Sequence, residues 1–228
     1  MRRTRRLLSW ILVLTGIAIG TWTVAVWQWQ DPLTALYTSH RQAQLSADLR
    51  QNARAFVDAL PKQAPSAISP RKAPSAAELR RLATSYASRT SEGAPLGKLR
   101  IPRLGLHVTF VNGTSSEDLR GGPGRDERTG LPGQHRLVYI AGHRTTFGAP
   151  FANIDRLRPG DSFVLELPYA VFTYRVTRTR IVDAHDLSVL RPGTRELVVL
   201  QACHPRFLAT QRLLVYGEPT RVAPAQRF

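Results

Sequence analysis

The chain has 228 residues, a net charge of +16 and a single cysteine, Cys203. One cysteine excludes an internal disulfide, so a folded domain must be held by its apolar core alone. The basic balance would suit nucleic acid, but 29 of the 32 basic residues are arginines scattered along the chain, without a reader motif. Anionic lipids and wall polymers suit the same charge, and no nucleic-acid partner is expected.

Arg2, Arg3, Arg5 and Arg6 precede residues 7–29, which carry no charged side chain. As a helix that run covers roughly 35 Å, enough for a hydrocarbon core of about 30 Å. The arginines favour a cytoplasmic N-terminus and Trp22, Trp27 and Trp29 suit an aromatic belt at the outer interface, so the rest of the chain is expected outside the membrane. A cleaved signal peptide would have an apolar region of roughly 7–15 residues and a small-x-small site. Ala18-Ile19-Gly20 is a poor match, so residues 1–30 read as an uncleaved single-pass anchor.

Residues 31–94 read as an extracytoplasmic stem. Helical spacing of Leu33, Leu36, Tyr37, Leu45, Leu49, Phe56 and Leu60 runs from Pro32 to Pro61. Residues 61–74 are a Pro/Ala/Ser linker with too little bulky apolar content to fold alone. Ser75, with Glu78 three residues on, predicts a capping box for a helix over 76–88, whose packing partner the sequence leaves open.

Residues 95–228 change character. Short apolar runs between Gly/Pro turns predict an all-β domain with strands over 97–101, 106–111, 136–141, 162–166, 172–182, 196–201 and 212–216. Seven or eight strands in about 125 residues suggest a small barrel or sandwich. His143 follows the third of these strands, Cys203 follows the sixth, and Arg212 opens the seventh. If those strands are neighbours, the three side chains meet at one rim.

The trio suits acyl transfer: a thiol nucleophile, an imidazole to move the proton, and a permanently charged guanidinium for the oxyanion. Each residue also has an ordinary structural explanation, Cys203 as a small core hydrophobe and His143 as a turn residue. Arg212 is one arginine among many. His204, beside the cysteine, suits a turn as well as it suits chemistry. Asp183 and Asp186 read as solvated surface rather than a cation site, and His107, His135 and His185 lack metal-ligand spacing. No metal and no cofactor is expected.

Taken together, the residues resemble the sortase family, in which a strand ends in a catalytic His, a later strand ends in T-L-x-T-C, and an Arg opens the next. Here the second motif reads Val199-Leu200-Gln201-Ala202-Cys203, with Arg212 nine residues on. The blocks Ala141-Gly142-His143-Arg144-Thr145-Thr146-Phe147-Gly148 and Cys203-His204-Pro205-Arg206-Phe207 are similar to class E sortases of actinobacteria. The resemblance spans 97 to about 218 and implies an eight-stranded sortase β-barrel, with Cys203 as nucleophile, His143 as acid/base and Arg212 as oxyanion stabiliser. It further implies that Leu200 and Ala202 lie against the substrate. The implied reaction is cleavage after Thr in an LPXTG-like signal of a secreted protein, LAXTG being the first expectation. A lipid-linked peptidoglycan precursor then supplies the accepting amine. Val199 and Ala202 replace the motif's threonines, and residues 122–126 lack aromatic or His residues, leaving the signal sequence open. Two other readings remain: a cysteine peptidase of another lineage, and a non-catalytic binding module at the cell surface.

Overall fold

The computed structural model describes residues 2–29, 32–60, 73–191, 193 and 195–226. Most of the linker expected over 61–74, and Pro192 of the expected turn before the cysteine strand, lie outside the described residues. Three helices come first: α1 (Arg2–Trp29), α2 (Pro32–Asp58) and α3 (Ala76–Ala87). The strands are β1 (Pro95–Ile101), β2 (Leu106–Asn112), β3 (Gly124–Arg125), β4 (Leu137–Gly142), β5 (Ser162–Leu167), β6 (Ala170–Asp183), β7 (Leu197–His204) and β8 (Gln211–Pro224), with a short helix α4 (Ser116–Gly121) before β3.

The strands close into a barrel in the order β1-β2-β3-β4-β7-β8-β6-β5, with β5 pairing back onto β1. The eight-stranded all-β barrel read from the sequence is therefore present. Seven strands fall where the apolar runs put them, although β6 and β8 extend to 14 residues each. The eighth, β3, is only two residues long and sits inside a Gly/Pro stretch that reads as a turn. Gly124 is required there because a Cβ would collide with the carbonyl of Gly113, where the chain passes between β2 and β4.

Side chains alternate across a strand, and the barrel uses both faces. Val138 and Ile140 of β4, Val198, Leu200 and Ala202 of β7, and Leu213 and Val215 of β8 point into the core with Phe110, Phe151, Phe163 and Phe172. The intervening residues Tyr139, Ala141, Val199, Leu214 and Tyr216 form a second apolar cluster, packed with Val182, Leu119, Val189 and Leu190 on the outside.

The stem helices lie on the barrel. In α2, Leu45, Leu49, Ala53 and Phe56 recur at helical spacing and are buried. Gln42 locks the helix to β2, donating to Thr109 O (2.8 Å) and accepting from Thr109 N (2.7 Å). The expected stripe fails upstream: Leu36 and Tyr37 are exposed, and the residue that turns inward there is Thr38, which donates to Arg120 O at 3.1 Å. Helix α3 carries the expected capping box between Ser75 and Glu78. Its buried face, Leu79, Leu82, Ala83 and Tyr86, joins the barrel core, and Tyr86 donates to Leu96 O at 3.0 Å. Helix α1 contains a stretch, Arg5–Val24, long and apolar enough to cross a membrane.

Candidate active site

Register brings the three residues together. Strands β7 and β8 are antiparallel with Cys203 directly opposite Arg212. Strands β4 and β7 are parallel with Gly142 beside Ala202, so the next residue, His143, emerges beside Cys203. Parity then decides which way they face. His143 continues Tyr139 and Ala141, Cys203 continues Val199 and Gln201, and Arg212 continues Leu214 and Tyr216, all on the outer face. Opposed residues of an antiparallel pair have Cβ atoms about 5 Å apart.

All three line a cavity of about 290 Å³ over the second apolar cluster. Its floor is Tyr139, Ala141 and Gly142; Leu119 and Val182 form the sides, and Leu187, Val189 and Leu190 of the loop after β6 cover one flank. Asp126 and Arg128 stand in the wall as a bidentate pair, with Arg128 donating to both carboxylate oxygens (2.9 and 2.6 Å). Burial raises the Asp126 pKa, but the bonds from Arg128 outweigh it and hold the carboxyl below the usual range. A larger cavity of about 810 Å³, lined by Leu79, Phe172, Glu196 and Glu218, contains neither Cys203 nor His143.

His143 is shaped by burial. Desolvation lowers its pKa below the ordinary histidine value, so the imidazole is neutral at pH 7. Its Nε2 is buried without a hydrogen-bond partner within the protein. The Phe147 ring lies 5.1 Å from the imidazole, centroid to centroid. Phe151 N donates to His143 O at 3.0 Å. Gly142 is the residue that permits this packing, since a Cβ there would sit 2.6 Å from the Phe151 ring.

Two further groups brace the site. Arg144 is nearly fully buried; it pairs with Asp155 at 3.1 Å and donates to the carbonyl of Cys203 at 3.3 Å. The same nitrogen lies 2.9 Å from His204 Nδ1, which acts as acceptor to a guanidinium that has no lone pair to offer. Helices α2 and α4 brace the other side: Phe147 N donates to Thr34 Oγ1 at 2.9 Å, Tyr37 meets the Phe147 ring edge-on, and the Arg120 guanidinium of α4 sits 5.8 Å over that ring. Arg212 is held by its own loop, donating from Nη1 to Ala209 O (2.7 Å) and Gln211 O (3.0 Å). Three of its five N–H donors remain outside those bonds.

The structure thus brings Cys203, His143 and Arg212 together but not Leu200 and Ala202. Those two are fully buried on the core face of β7, because strand alternation turns them away from the cavity that Gln201 and Cys203 line. Gln201 escaped sequence reasoning, yet the period of two from Cys203 points to it. Arg144 had a signal only in its position next to His143. Phe147 lay within the block similar to class E sortases but was given no role there, and Asp155 and Thr34 carried no signal. Asp183 and Asp186 bind local backbone, accepting from His185 N and Ser188 N. Among the described residues no cluster of three potential metal ligands occurs.

The sortase domain family matches residues 99–220. Sortase D of Bacillus subtilis is 32% identical over 130 residues, covering 55% of this chain and 64% of that protein. Sortase SrtE1 of Streptomyces coelicolor is 29% identical over 151 residues, covering 59% of this chain and 43% of that protein. The chain therefore spans less than two thirds of the length of these relatives. The crystal structure of Streptomyces coelicolor sortase E1, with a tripeptide in the active site, superposes with a TM-score of 0.53 at 30% identity, covering 58% of this chain and 91% of that one.

Proposed function

Because this chain belongs to the sortase family, we propose that it is a membrane-anchored cysteine transpeptidase with Cys203 as nucleophile, His143 as general acid/base and Arg212 as oxyanion stabiliser. The observation that carries the reading is the register of β4, β7 and β8, with Cys203 opposite Arg212 and beside the end of β4. The tripeptide held by the Streptomyces coelicolor enzyme supports a peptide substrate.

In the proposed cycle the Cys203 thiol passes its proton to neutral His143 as sulfur attacks the scissile carbonyl. The carbon–sulfur bond forms and negative charge moves to the carbonyl oxygen, where Arg212 donates hydrogen bonds. Collapse breaks the carbon–nitrogen bond, and His143 returns the proton to the leaving amine. A thioacyl enzyme remains. An incoming amine then attacks the thioester and gives its proton to His143; the carbon–sulfur bond breaks, and His143 returns that proton to the departing sulfur, restoring the Cys203 thiol and neutral imidazole. Arg144 and Asp155 hold the Cys203 carbonyl and the end of β7 without touching the reacting atoms.

The substrate is a secreted protein bearing an LAXTG- or LPXTG-like signal, cut after Thr, and the acceptor is the amine of a lipid-linked peptidoglycan precursor. Gln201, rather than Leu200 or Ala202, meets the peptide directly; Leu200 and Ala202 act on it only through the packing beneath. Residues 1–30 anchor the protein with its N-terminus cytoplasmic, 31–94 form the stem, and 95–228 form the extracytoplasmic catalytic domain.

The test is to incubate the detergent-solubilised full chain with LAXTG and LPXTG peptides, with and without an amine acceptor. A mass shift on Cys203 equal to the acyl fragment, resolved by the amine and lost in Cys203→Ala, is the expected result. An unmodified Cys203 with every peptide would remove the enzymatic reading and leave a non-catalytic module.

A further inference from the structure

We infer that the catalytic end of the barrel faces and touches the phospholipid bilayer, through the exposed apolar residues Leu36, Phe207 and Leu208. The inference rests on the membrane-anchored reading of α1 given above.

Topology defines that end. The carboxyl ends of β4, β6 and β7 and the start of β8 lie together, since Cys203 pairs with Arg212 and Asp183 with Gln211. The first turns of α2 are at the same end, because Thr34 and Tyr37 contact Phe147 in the loop after His143. Among the described residues, seven large apolar side chains outside α1 are exposed, and six belong to this end; the seventh is Val57, near the far end of α2. Leu36 is 72% exposed and Leu208 71%. Soluble surfaces carry single exposed apolar residues without consequence, whereas a concentration of them marks a contact.

Of the six, Leu187 lines the cavity at Cys203, whereas none of Leu36, Phe207 and Leu208 does. The loop that carries Phe207 and Leu208 leaves both side chains exposed. Phe207 and Ala209 adopt left-handed backbone (φ 68° and 56°), unusual for residues with a Cβ. Arg206 ties the loop to the carbonyl of Ala152 and to Asn153 Oδ1.

The tether says what covers the patch. Arg5–Val24 is the stretch able to span the hydrocarbon, and α1 continues five residues to Trp29, roughly the depth of a headgroup layer. From Trp29 to Thr34 is five residues, a reach of about 18 Å at most. Thr34 touches the His143 loop, so the catalytic end is leashed near the bilayer surface while Val57 lies about 35 Å further along α2. An apolar patch leashed this close to an interface rests in it. Asp183 and Asp186 share this end with Arg120, Arg180, Arg191 and Arg206, so basic charge can assist the apolar insertion at an anionic surface. Peptide and acyl acceptor, if both are membrane-tethered, then meet Cys203 at the level of the headgroups.

The single native cysteine makes the test clean. In the full chain carrying Cys203→Ala, a spin label is placed by Leu208→Cys or, as a control, by Val57→Cys. Each is reconstituted into phosphatidylglycerol/phosphatidylethanolamine vesicles. Collision of the label with a water-soluble nickel chelate and with oxygen is then measured. The expected result is nickel accessibility at 208 at least about threefold below that at 57, with oxygen accessibility reversed, as for groups inserted several ångströms into the interface. Equal nickel accessibility in chains that float with the vesicles overturns the inference and leaves the anchor reading intact. Chains that do not float overturn the anchor reading, and this inference with it. Protection of 208 that appears only after adding a sorting peptide reassigns the patch to substrate and also overturns the inference.

Discussion

The two faces of β4, β7 and β8 are built from the same strands and do different work. The inner face, with Val138, Ile140, Val198, Leu200, Ala202, Leu213 and Val215, is apolar throughout and sealed. The outer face begins the same way, with Tyr139, Val199, Leu214 and Tyr216, and then changes within one residue pair to His143, Gln201, Cys203 and Arg212. Position along the strand therefore selects chemistry, and parity selects the face. A reactive constellation gains rigidity from standing on a packed sheet rather than on loops alone. The comparison predicts that mutations three residues apart on opposite faces of β7 separate function from stability.

The sharpest separation pairs Cys203→Ala with Leu200→Ala. Removing the thiol should cut acyl transfer below about a thousandth of wild type, as losing a nucleophile does elsewhere. Its melting temperature should hardly move, since Cys203 is partly exposed. Leu200→Ala, at a fully buried position, should cost about 2–5 kcal/mol in urea unfolding. The folded fraction should still form the thioacyl adduct. An outer-face variant that unfolds the protein, with an inner-face variant that spares it, would break the comparison.

Arg212 gives the next largest effect. Arg212→Ala should lower kcat/KM for a sorting peptide by about 10²–10³-fold, the usual loss for one oxyanion donor. Arg212→Lys should recover only part of it, because an ammonium cannot both hold the Ala209 and Gln211 carbonyls and present a planar fork. Arg144→Met should lie below that. It leaves the Cys203 carbonyl and His204 without their donor and Asp155 without its cation. Asp155 is half exposed, so the stability loss should be about 1–2 kcal/mol, less than for a fully buried pair. The rate should fall about tenfold through a looser β7 end. Peptide KM should be little changed, which stopped-flow acylation separates from kcat.

The site was legible in the sequence to the extent that its parts are local. Apolar runs followed by Gly-His and by Cys-His marked strand ends, and the adjacency of those strands, which the sequence left as a condition, is met by the register of β4, β7 and β8. What the sequence did not disclose is what long-range packing decides. Strand β3 has no apolar run because it is only two residues long: Gly124 needs smallness beside Gly113, and Arg125 is buried through its bond to the Thr129 carbonyl. Leu200 and Ala202 looked substrate-facing by their nearness to Cys203 in the motif, yet alternation puts them in the core. The stem's apolar stripe of Leu45, Leu49 and Phe56 was legible, but its partner was not, and the polar contacts that fix its position span more than sixty residues, Gln42 to Thr109 and Thr34 to Phe147. Neither contact leaves a periodic trace.

The mildest prediction concerns pH. Burial holds the His143 pKa below its ordinary value in the folded protein, while in the unfolded chain it titrates near about 6.5. Between those two values the unfolded chain binds the extra proton and the folded protein does not, so stability falls as pH drops through about 6.5 toward the folded value. Above that window His143 is neutral in both states and its contribution is flat. Asp126, held down by Arg128, contributes in a separate and lower window, since its stabilisation is lost only as pH falls below the ordinary carboxylate range. A His143→Gln variant removes the first effect and keeps the second. Urea unfolding at pH 8 and pH 5.5 should therefore show wild type losing more stability than His143→Gln between the two conditions. Equal losses would mean that the imidazole is as free to protonate in the cavity as in water, and that the outer face of β4 is wetter than its inner face by more than the packing around Phe147 and Phe151 allows.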